Sequence, residues 1–276
     1  MRRPGSVHVA ASALAAALVM LTVLAPCFAP HDPLASHTAR RLEAPGVDYP
    51  LGTDHLGRCV LSRVLHGTRI SLWLTLSVVL GSALLGALVG SVSGYIGGGI
   101  DLAVTGLTDL FLAFPRLVLA LVAVGLIGPS LGVVVLVLVV LDWTAYARLT
   151  RSVVLAEKEQ AWFLADRALG FSGPRLLFGT LLPASIPPLT AYGVLRSGST
   201  LLTIAGLGFL GIGAPPPTPE WGAMIGQGRV FLRAAPWICI APGLAMVGVI
   251  LGFSLLGESL HRTTHTHRDL RKRAVR

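Results

Sequence analysis

Charged residues are scarce in this sequence. Asp, Glu, Lys and Arg make up 13% of its 276 residues, whereas a soluble globular domain carries about 25%. Hydrophobic residues make up 53%, and the mean hydropathy is +0.74. Because so few charges cannot cover the surface of a water-soluble protein of this size, lipid must surround much of the chain. We therefore predict an all-α integral membrane protein without a separate soluble domain of ordinary size.

Cysteine is also scarce, and the motifs of several enzyme classes are missing. Cys27, Cys59 and Cys239 form no CxxC pair, which argues against a disulfide framework or a zinc site. Without a GxxxxGK[ST] motif the chain cannot be its own ATPase. Without HExxH or GxSxG it has no mark of a membrane-embedded enzyme. We expect no catalytic residue, no bound metal and no cofactor.

The net charge of +9 raises the question of nucleic acid. No basic helix or aromatic platform accompanies the charge. The Lys and Arg residues lie instead between apolar runs and in the C-terminal tail, as on the cytoplasmic side of membrane proteins. The sequence therefore predicts a lipid bilayer and no nucleic acid as its surroundings.

Six apolar runs are long enough to cross a bilayer, and they predict six transmembrane helices. The first run lies within residues 1–29. We interpret it as an uncleaved helix, because it exceeds a usual signal core and further spans follow. Prolines interrupt the polar residues 30–69, which we predict to be a loop ending in an amphipathic lead-in at residues 60–65. The remaining spans are predicted at about residues 70–94, 100–126, 131–149, 186–210 and 237–256.

The distribution of basic residues predicts the orientation. Six spans with a cytoplasmic N-terminus place the basic tail, residues 259–276, in the cytoplasm as well, in agreement with the positive-inside rule. The predicted organisation is an N-terminal helix at 1–29, an extracytoplasmic loop at 30–69 and a five-span core at 70–258. The loop conflicts with the rule, because it contains several arginines that four acidic residues balance only in part. These arginines are Arg40, Arg41, Arg58, Arg63 and Arg69.

The longest polar stretch inside the hydrophobic region is residues 151–183. Residues 155–169 contain good helix formers and no Gly or Pro, and Gly170 is a natural C-cap. Ser172 can cap a second helix that carries Pro174 in its first turn and ends at Pro183. The pattern predicts a cytoplasmic helix-turn-helix between the fourth and fifth spans.

Small residues form a stripe on the first of these helices. Ala161, Ala165 and Ala168 share one face, with Trp162 and Phe163 beside it. Such a stripe permits the close approach of another surface. That surface is either the protein's own helical bundle or a separate cytoplasmic protein.

The same segment resembles the cytoplasmic signature of the permease subunits of binding-protein-dependent ABC importers, which reads EAA, three residues, Gly, nine residues, then I-x-L-P. Leu164-Ala165-Asp166, Gly170, Thr180 and Leu182-Pro183 stand at matching spacing. Leu164, Asp166 and Thr180 depart from the signature. Further stretches resemble the peptide/nickel branch of this family: LGTDHLGR at 51–58, GTRISL at 67–72, GYIGG at 94–98, AFP at 113–115, YAR at 146–148, FLGIG at 209–213 and PPTPEWG at 216–222.

The resemblance implies a set of partners in a bacterial-type plasma (inner) membrane. Two such permeases pair, so a sister permease subunit is expected, together with two cytoplasmic ABC ATPase subunits and an extracytoplasmic substrate-binding protein. The expected substrates are di/oligopeptides or nickel and other metal chelates. The expected ATPase-docking residues are Ala161, Leu164, Ala165, Asp166, Gly170, Leu182 and Pro183.

Two ionisable residues lie near the middle of predicted spans, Asp142 in the fourth and Arg196 in the fifth. Such residues are costly in lipid and are functional candidates. They either neutralise each other as a structural pair or line the translocation path. In the second case Arg196 would meet a carboxylate, and Asp142 would meet a cationic group or a metal. Peptide and metal chelate remain open as substrates.

A secondary transporter driven by an ion gradient is the alternative function. It would fit six spans and an intramembrane Asp142. The paired broken helices of internal repeats, which are typical of many secondary transporters, are not evident in the sequence. The tail histidines His261, His265 and His267 have basic neighbours and no carboxylate cluster, and are expected to be solvated.

Overall fold

The computed structural model describes Met20 and residues 24–274, with side chains as far as residue 260. The predicted first span falls almost entirely outside these residues. In the described part every regular element is helical, apart from one isolated antiparallel bridge between Thr53 and Cys59. The α-helices are α1 (Val60–Ile96), α2 (Gly98–Ala113), α3 (Arg116–Ile127), α4 (Leu131–Lys158), α5 (Ala161–Ala168), α6 (Gly173–Leu176), α7 (Leu182–Phe209), α8 (Trp221–Gly228) and α9 (Trp237–Ala274).

Three of the described helices are long and apolar enough to cross a membrane: α1, α4 and the Trp237–Leu260 part of α9. The pair α2 and α3 adds a fourth crossing if it forms one broken span. Helix α7 covers the predicted fifth span and is long enough, with 28 residues. It is not among the helices that are apolar enough to cross a membrane. It contains Arg196, Pro187 and Pro188. The described residues therefore support three or four of the six predicted spans.

The predicted third span, residues 100–126, is not one continuous helix. It is divided into α2 and α3, which are bent by 89° relative to each other. Phe114 is extended (φ −101°, ψ 146°) and Pro115 follows it. A proline disfavours helical geometry at the preceding residue and cannot donate a backbone hydrogen bond. The Phe-Pro step thus explains the break, and it places Arg116 at the start of α3.

Helix α1 begins earlier than predicted. It starts at Val60, so the last ten residues of the predicted 30–69 loop belong to a 37-residue helix. Before it, the chain folds around Asp54, whose side chain accepts hydrogen bonds from the Leu56 and Arg58 amides (2.8 and 3.0 Å). Asp54 also pairs with the Arg58 and Arg63 guanidinium groups at 2.6 and 3.6 Å.

Most of the arginines between residues 30 and 69 form ion pairs. Arg58 and Arg63 are buried in the ion cluster around Asp54, and Arg40 pairs with Asp48 at 3.0 Å. Three of the five arginines between residues 30 and 69 therefore have carboxylate partners.

Helices α1 and α4 pack against each other through glycines on α1. A Cβ atom added at Gly86 would lie 2.5 Å from Tyr146 Cβ, and one at Gly90 would lie 2.2 Å from the Ala147 carbonyl oxygen. Gly81 and Gly94 face Val139 and Val154 of α4 in the same way. Small residues that allow membrane helices to approach closely contribute to their association through dispersion contacts.

The segment between α7 and α9 is fixed to α1 by Glu220. Its buried carboxylate accepts hydrogen bonds from the Gly222 and Ala223 amides (2.9 and 2.8 Å) at the start of α8, and from Ser71 Oγ (3.4 Å). Trp221 Nε1 donates to the Val64 carbonyl at 3.0 Å. Burial raises the pKa of the Glu220 carboxyl, and the two amide donors oppose that effect. These bonds join α8 rigidly to α1.

Candidate coupling surface and intramembrane charge cluster

The first helix of the 151–183 segment is shorter than predicted. The predicted helix at residues 155–169 is interrupted, because α4 ends at Lys158 and α5 begins at Ala161, with Gln160 extended (ψ 143°) between them. Lys158 Nζ donates to the Gly94 and Tyr95 carbonyls (3.1 and 2.9 Å) at the end of α1. This contact fixes the end of α4, and tertiary packing overrides the local helix propensity.

Helix α5 is attached to the bundle through one deeply buried side chain. Phe163 is only 2% exposed and packs against Val154 of α4 and Leu176, Leu177 and Leu181 of the following segment. The neighbouring side chains face away from this cluster, with Leu164 53% exposed and Leu169 74% exposed. The exposed residues form what we call the α5 surface: Ala161, Trp162, Leu164, Ala165, Ala168 and Leu169.

Helix α5 ends in a turn at Gly170, one residue beyond its C-cap Leu169. Gly170 has φ +81°, and its amide donates to the Arg167 carbonyl at 3.1 Å. The Phe171 amide donates to the Asp166 carbonyl at 3.2 Å. These two bonds are the Schellman pattern that terminates many helices. Nothing lies within 4 Å of a Cβ atom built at Gly170, so backbone conformation alone favours glycine here.

The sequence predicted that the second helix ends at Pro183, but the helical path continues through this residue. Helix α6 continues through a π-helical stretch at Leu177–Leu181 directly into α7. The Leu182 amide donates to the Leu177 carbonyl, five residues earlier. This wider turn precedes Pro183, which has no amide hydrogen to donate, and it accommodates the proline without a break.

The structure separates the predicted docking residues into two groups. Ala161, Leu164 and Ala165 are exposed on α5, Asp166 is half-buried, and Gly170 is in the exposed turn. The other two residues are at the start of α7, where Pro183 is exposed. Leu182 packs against the cluster of Ala87, Tyr146 and Leu189 inside the bundle.

Asp142 and Arg196 approach each other, but Asp142 has a closer partner. Arg116 Nη2 donates to Asp142 Oδ2 at 2.5 Å, whereas Arg196 Nη2 lies 3.9 Å from Asp142 Oδ1. The Asp142 side chain is 3% exposed, and those of Arg116 and Arg196 are 22% and 32% exposed. We call Arg116, Asp142 and Arg196 the central charge cluster.

Arg116 was not among the residues selected from the sequence. A signal for it was present, because Arg116 is a charged residue inside an apolar run and directly follows the Ala113-Phe114-Pro115 motif. Arg116 and Asp142 are 26 residues apart in the sequence. The contact depends on the break at Pro115. The prediction of one continuous third span did not include this break.

Two further ion pairs join α2 to α4. Arg151 donates to both carboxylate oxygens of Asp101 (2.5 and 2.6 Å), and Arg148 donates to Asp109 (2.6 Å). The described residues contain no group of three or more His, Cys, Asp or Glu side chains that could hold a metal ion; the tail histidine side chains lie outside them.

Comparison with known proteins identifies the family. Residues 86–265 match the family model of the binding-protein-dependent transport system inner membrane component. The chain is 38% identical over 249 residues to the dipeptide transport system permease protein DppC of Haemophilus influenzae, covering 88% of this chain and 84% of the relative. It is 34% identical over 252 residues to the nickel transport system permease protein NikC of Escherichia coli, covering 91% of both chains.

A third relative carries a different substrate name. The glutathione transport system permease protein GsiD of Pectobacterium atrosepticum is 35% identical over 254 residues, covering 90% of this chain and 84% of the relative. The chain belongs to this family of inner-membrane permeases. Within the family it falls in the peptide, nickel and glutathione branch of ABC importers. This membership does not favour the alternative of a transporter driven by an ion gradient.

Proposed function

We propose that this chain forms a translocation path with a sister permease and couples the path to ATP hydrolysis through the α5 surface. Two cytoplasmic ABC ATPase subunits would dock there, and an extracytoplasmic binding protein would deliver the substrate. The substrate would be a di/oligopeptide or a nickel or other metal chelate. The observation that carries the proposal is that α5 exposes its apolar side chains although it is not long enough to lie in lipid as a span.

The composition of the α5 surface suits a protein partner. Leu164 and Leu169 are large and exposed, and Ala161, Ala165 and Ala168 are small enough to permit close approach. Asp166 and Arg167 provide a polar margin on the same helix. Apolar surface with a polar rim is typical of protein interaction sites. A groove on an ATPase subunit could cover α5 without a change in its fold.

The basic residues near this surface support a cytoplasmic location. Arg148, Arg151 and Lys158 lie along the end of α4, and Arg167 and Arg175 lie in the segment after it. The positive-inside rule assigns such a concentration to the cytoplasm. Both chain termini would then also be cytoplasmic, if six spans cross the membrane.

The attachment of α5 explains how movement there can reach the path. Phe163 lies in one cluster with side chains of α4 and of the segment leading into α7, and Lys158 binds the end of α1. A force on α5 therefore acts on three long helices. ATP binding at one end and substrate at the other would bias the same two-state movement.

Replacing Gly170 by Val tests the coupling site. A β-branched residue is strained at φ +81° by about 1–2 kcal/mol, so the turn that positions α5 is destabilised. We expect the tagged wild-type chain, expressed with its partner subunits, to co-purify with an ATPase. The recovery of ATPase should fall about tenfold in Gly170→Val.

Gly170→Asn is the matched control, because Asn tolerates a positive φ. It should retain the ATPase. Equal recovery with Gly170→Val would show that α5 is not the coupling site. Failure to recover any ATPase with the wild-type chain would reject the proposed function.

A further inference from the structure

After the break at Pro115, α3 contributes its first residue to the central charge cluster. Helix α3 has 12 residues and begins at Arg116, whose guanidinium binds Asp142 of α4. The first backbone amides of a helix have no acceptor within that helix, and they form the positive end of its dipole. The dipole of α3 therefore adds positive potential at the backbone of Arg116.

The cluster contains more positive than negative charge. Arg116 and Arg196 share a single carboxylate, that of Asp142. Arg116 holds it by a direct hydrogen bond, whereas the 3.9 Å separation of Arg196 is too long for one. Among the described residues, the buried Nε atoms of both arginines have no hydrogen-bond partner. Because the Arg196 side chain is 32% exposed and has no direct hydrogen bond to Asp142, its exposed part can accept a second anion.

The location of the cluster indicates what the surplus positive charge can face. Asp142 and Arg196 are on helices of a membrane protein, where an unneutralised charge facing lipid is costly. Arg196 is partly exposed, and Ser199, whose hydroxyl donates to the Arg196 carbonyl, is exposed as well. The chain therefore leaves this side of the cluster uncovered. A hydrated path between two permeases satisfies both observations.

We propose that Arg196 binds the carboxylate of the substrate during translocation. Arg116 is a positioning residue, because its hydrogen bond to Asp142 leaves Arg196 without a direct hydrogen bond to that carboxylate. The inference rests on the proposed function, and it narrows the substrate class to carboxylate-bearing solutes. A peptide C-terminus and a metal held by a carboxylate chelator share this chemistry, whereas a bare divalent cation does not.

The test is ATP-driven uptake by the complete importer in proteoliposomes, with Arg196→Gln compared with wild type and Arg196→Lys. The probes are radiolabelled dialanine, Ni²⁺ with citrate and Ni²⁺ alone. Wild type should carry dialanine or the nickel–citrate complex. Arg196→Gln should lower that uptake roughly tenfold or more, because a charge-assisted hydrogen bond to the substrate carboxylate is lost.

Two controls separate recognition from structure. Arg196→Lys keeps the charge and should keep at least about half of the uptake. The binding protein should still stimulate ATP hydrolysis in all three importers, and the sister permease should still co-purify, because α5 is unchanged. Loss of either property in Arg196→Gln would assign Arg196 a structural role and overturn the inference.

The probes decide the remaining outcomes. Uptake of Ni²⁺ alone, with no uptake of either carboxylate-bearing probe, would overturn the inference and leave the proposed function intact. Equal uptake by wild type and Arg196→Gln would do the same. Failure of an ATPase subunit and the sister permease to co-purify with the wild-type chain would reject the proposed function itself, and the carboxylate site with it.

Discussion

Replacing Leu164 by Asp is expected to abolish ATP-driven uptake while the chain remains folded in the membrane. Leu164 is 53% exposed, so the new carboxylate is solvated in the free chain and little stability is lost. In the proposed complex it would be buried without a partner against the ATPase. Such a charge costs about 3 kcal/mol or more, which weakens binding at least about a hundredfold. Uptake and stimulated ATP hydrolysis in proteoliposomes measure the effect.

Val47→Asp is the control for this substitution. Val47 is fully exposed in the segment before α1, so the same apolar-to-acidic change occurs far from α5 in the sequence. Its uptake should match that of wild type. If Leu164→Asp also transports at the wild-type rate, the α5 surface is not an ATPase interface.

Replacing Gly90 by Leu is expected to separate α1 from α4 and to destabilise the chain severely. Even a Cβ atom at Gly90 would lie 2.2 Å from the Ala147 carbonyl oxygen and 2.9 Å from its carbonyl carbon. These are backbone atoms of a helix, which cannot move aside individually. Overpacking of a tight contact costs about 1–3 kcal/mol, and the whole Leu side chain takes the expected loss to the upper end of that range or beyond it. Unfolding of the purified chain in detergent is the measurement.

Gly106→Leu is the matched control, because Gly106 is exposed in α2 and nothing lies within 4 Å of its Cβ position. This variant should unfold at nearly the same temperature as wild type. Equal stability of Gly90→Leu and Gly106→Leu would mean that the close α1–α4 contact does not hold the chain together.

Several features of the fold could be read from the sequence because they depend on local pattern. Low charge and long apolar runs indicate membrane helices wherever they occur. The glycines at 86, 90 and 94 are four residues apart, so they share one helix face and predict a close contact without any knowledge of the partner. The turn at Gly170 was equally local, since glycine at the end of a helix favours the left-handed conformation that it adopts.

Other features depend on contacts between distant residues. Helix α5 begins at Ala161 because Lys158 binds the end of α1 and Phe163 enters a cluster built from three segments. No pattern within residues 155–169 specifies these partners. The continuity of the chain through Pro183 likewise depends on a π-helical stretch before it. Helix propensity alone predicted that the second helix ends at Pro183.

The central charge cluster could be predicted from the sequence only in part, because it depends both on local pattern and on contacts between distant residues. The sequence identified Asp142 and Arg196 as intramembrane charges, and it left open whether they pair. The answer required the position of Arg116, which α3 brings to Asp142 after the break at Pro115. A Phe-Pro step inside an apolar run is a visible signal of such a break, and it could have divided the predicted third span.

Site-directed cross-linking tests most directly whether the α5 surface docks on an ATPase subunit. Cys27, Cys59 and Cys239 are free thiols, so each is first replaced by Ser, and a single cysteine is introduced as Ala165→Cys or Val47→Cys. In the assembled importer, a short thiol-reactive cross-linker should join Ala165→Cys to an ATPase subunit and should leave Val47→Cys free of it. A cross-link to the ATPase from Val47→Cys, with none from Ala165→Cys, would contradict the account.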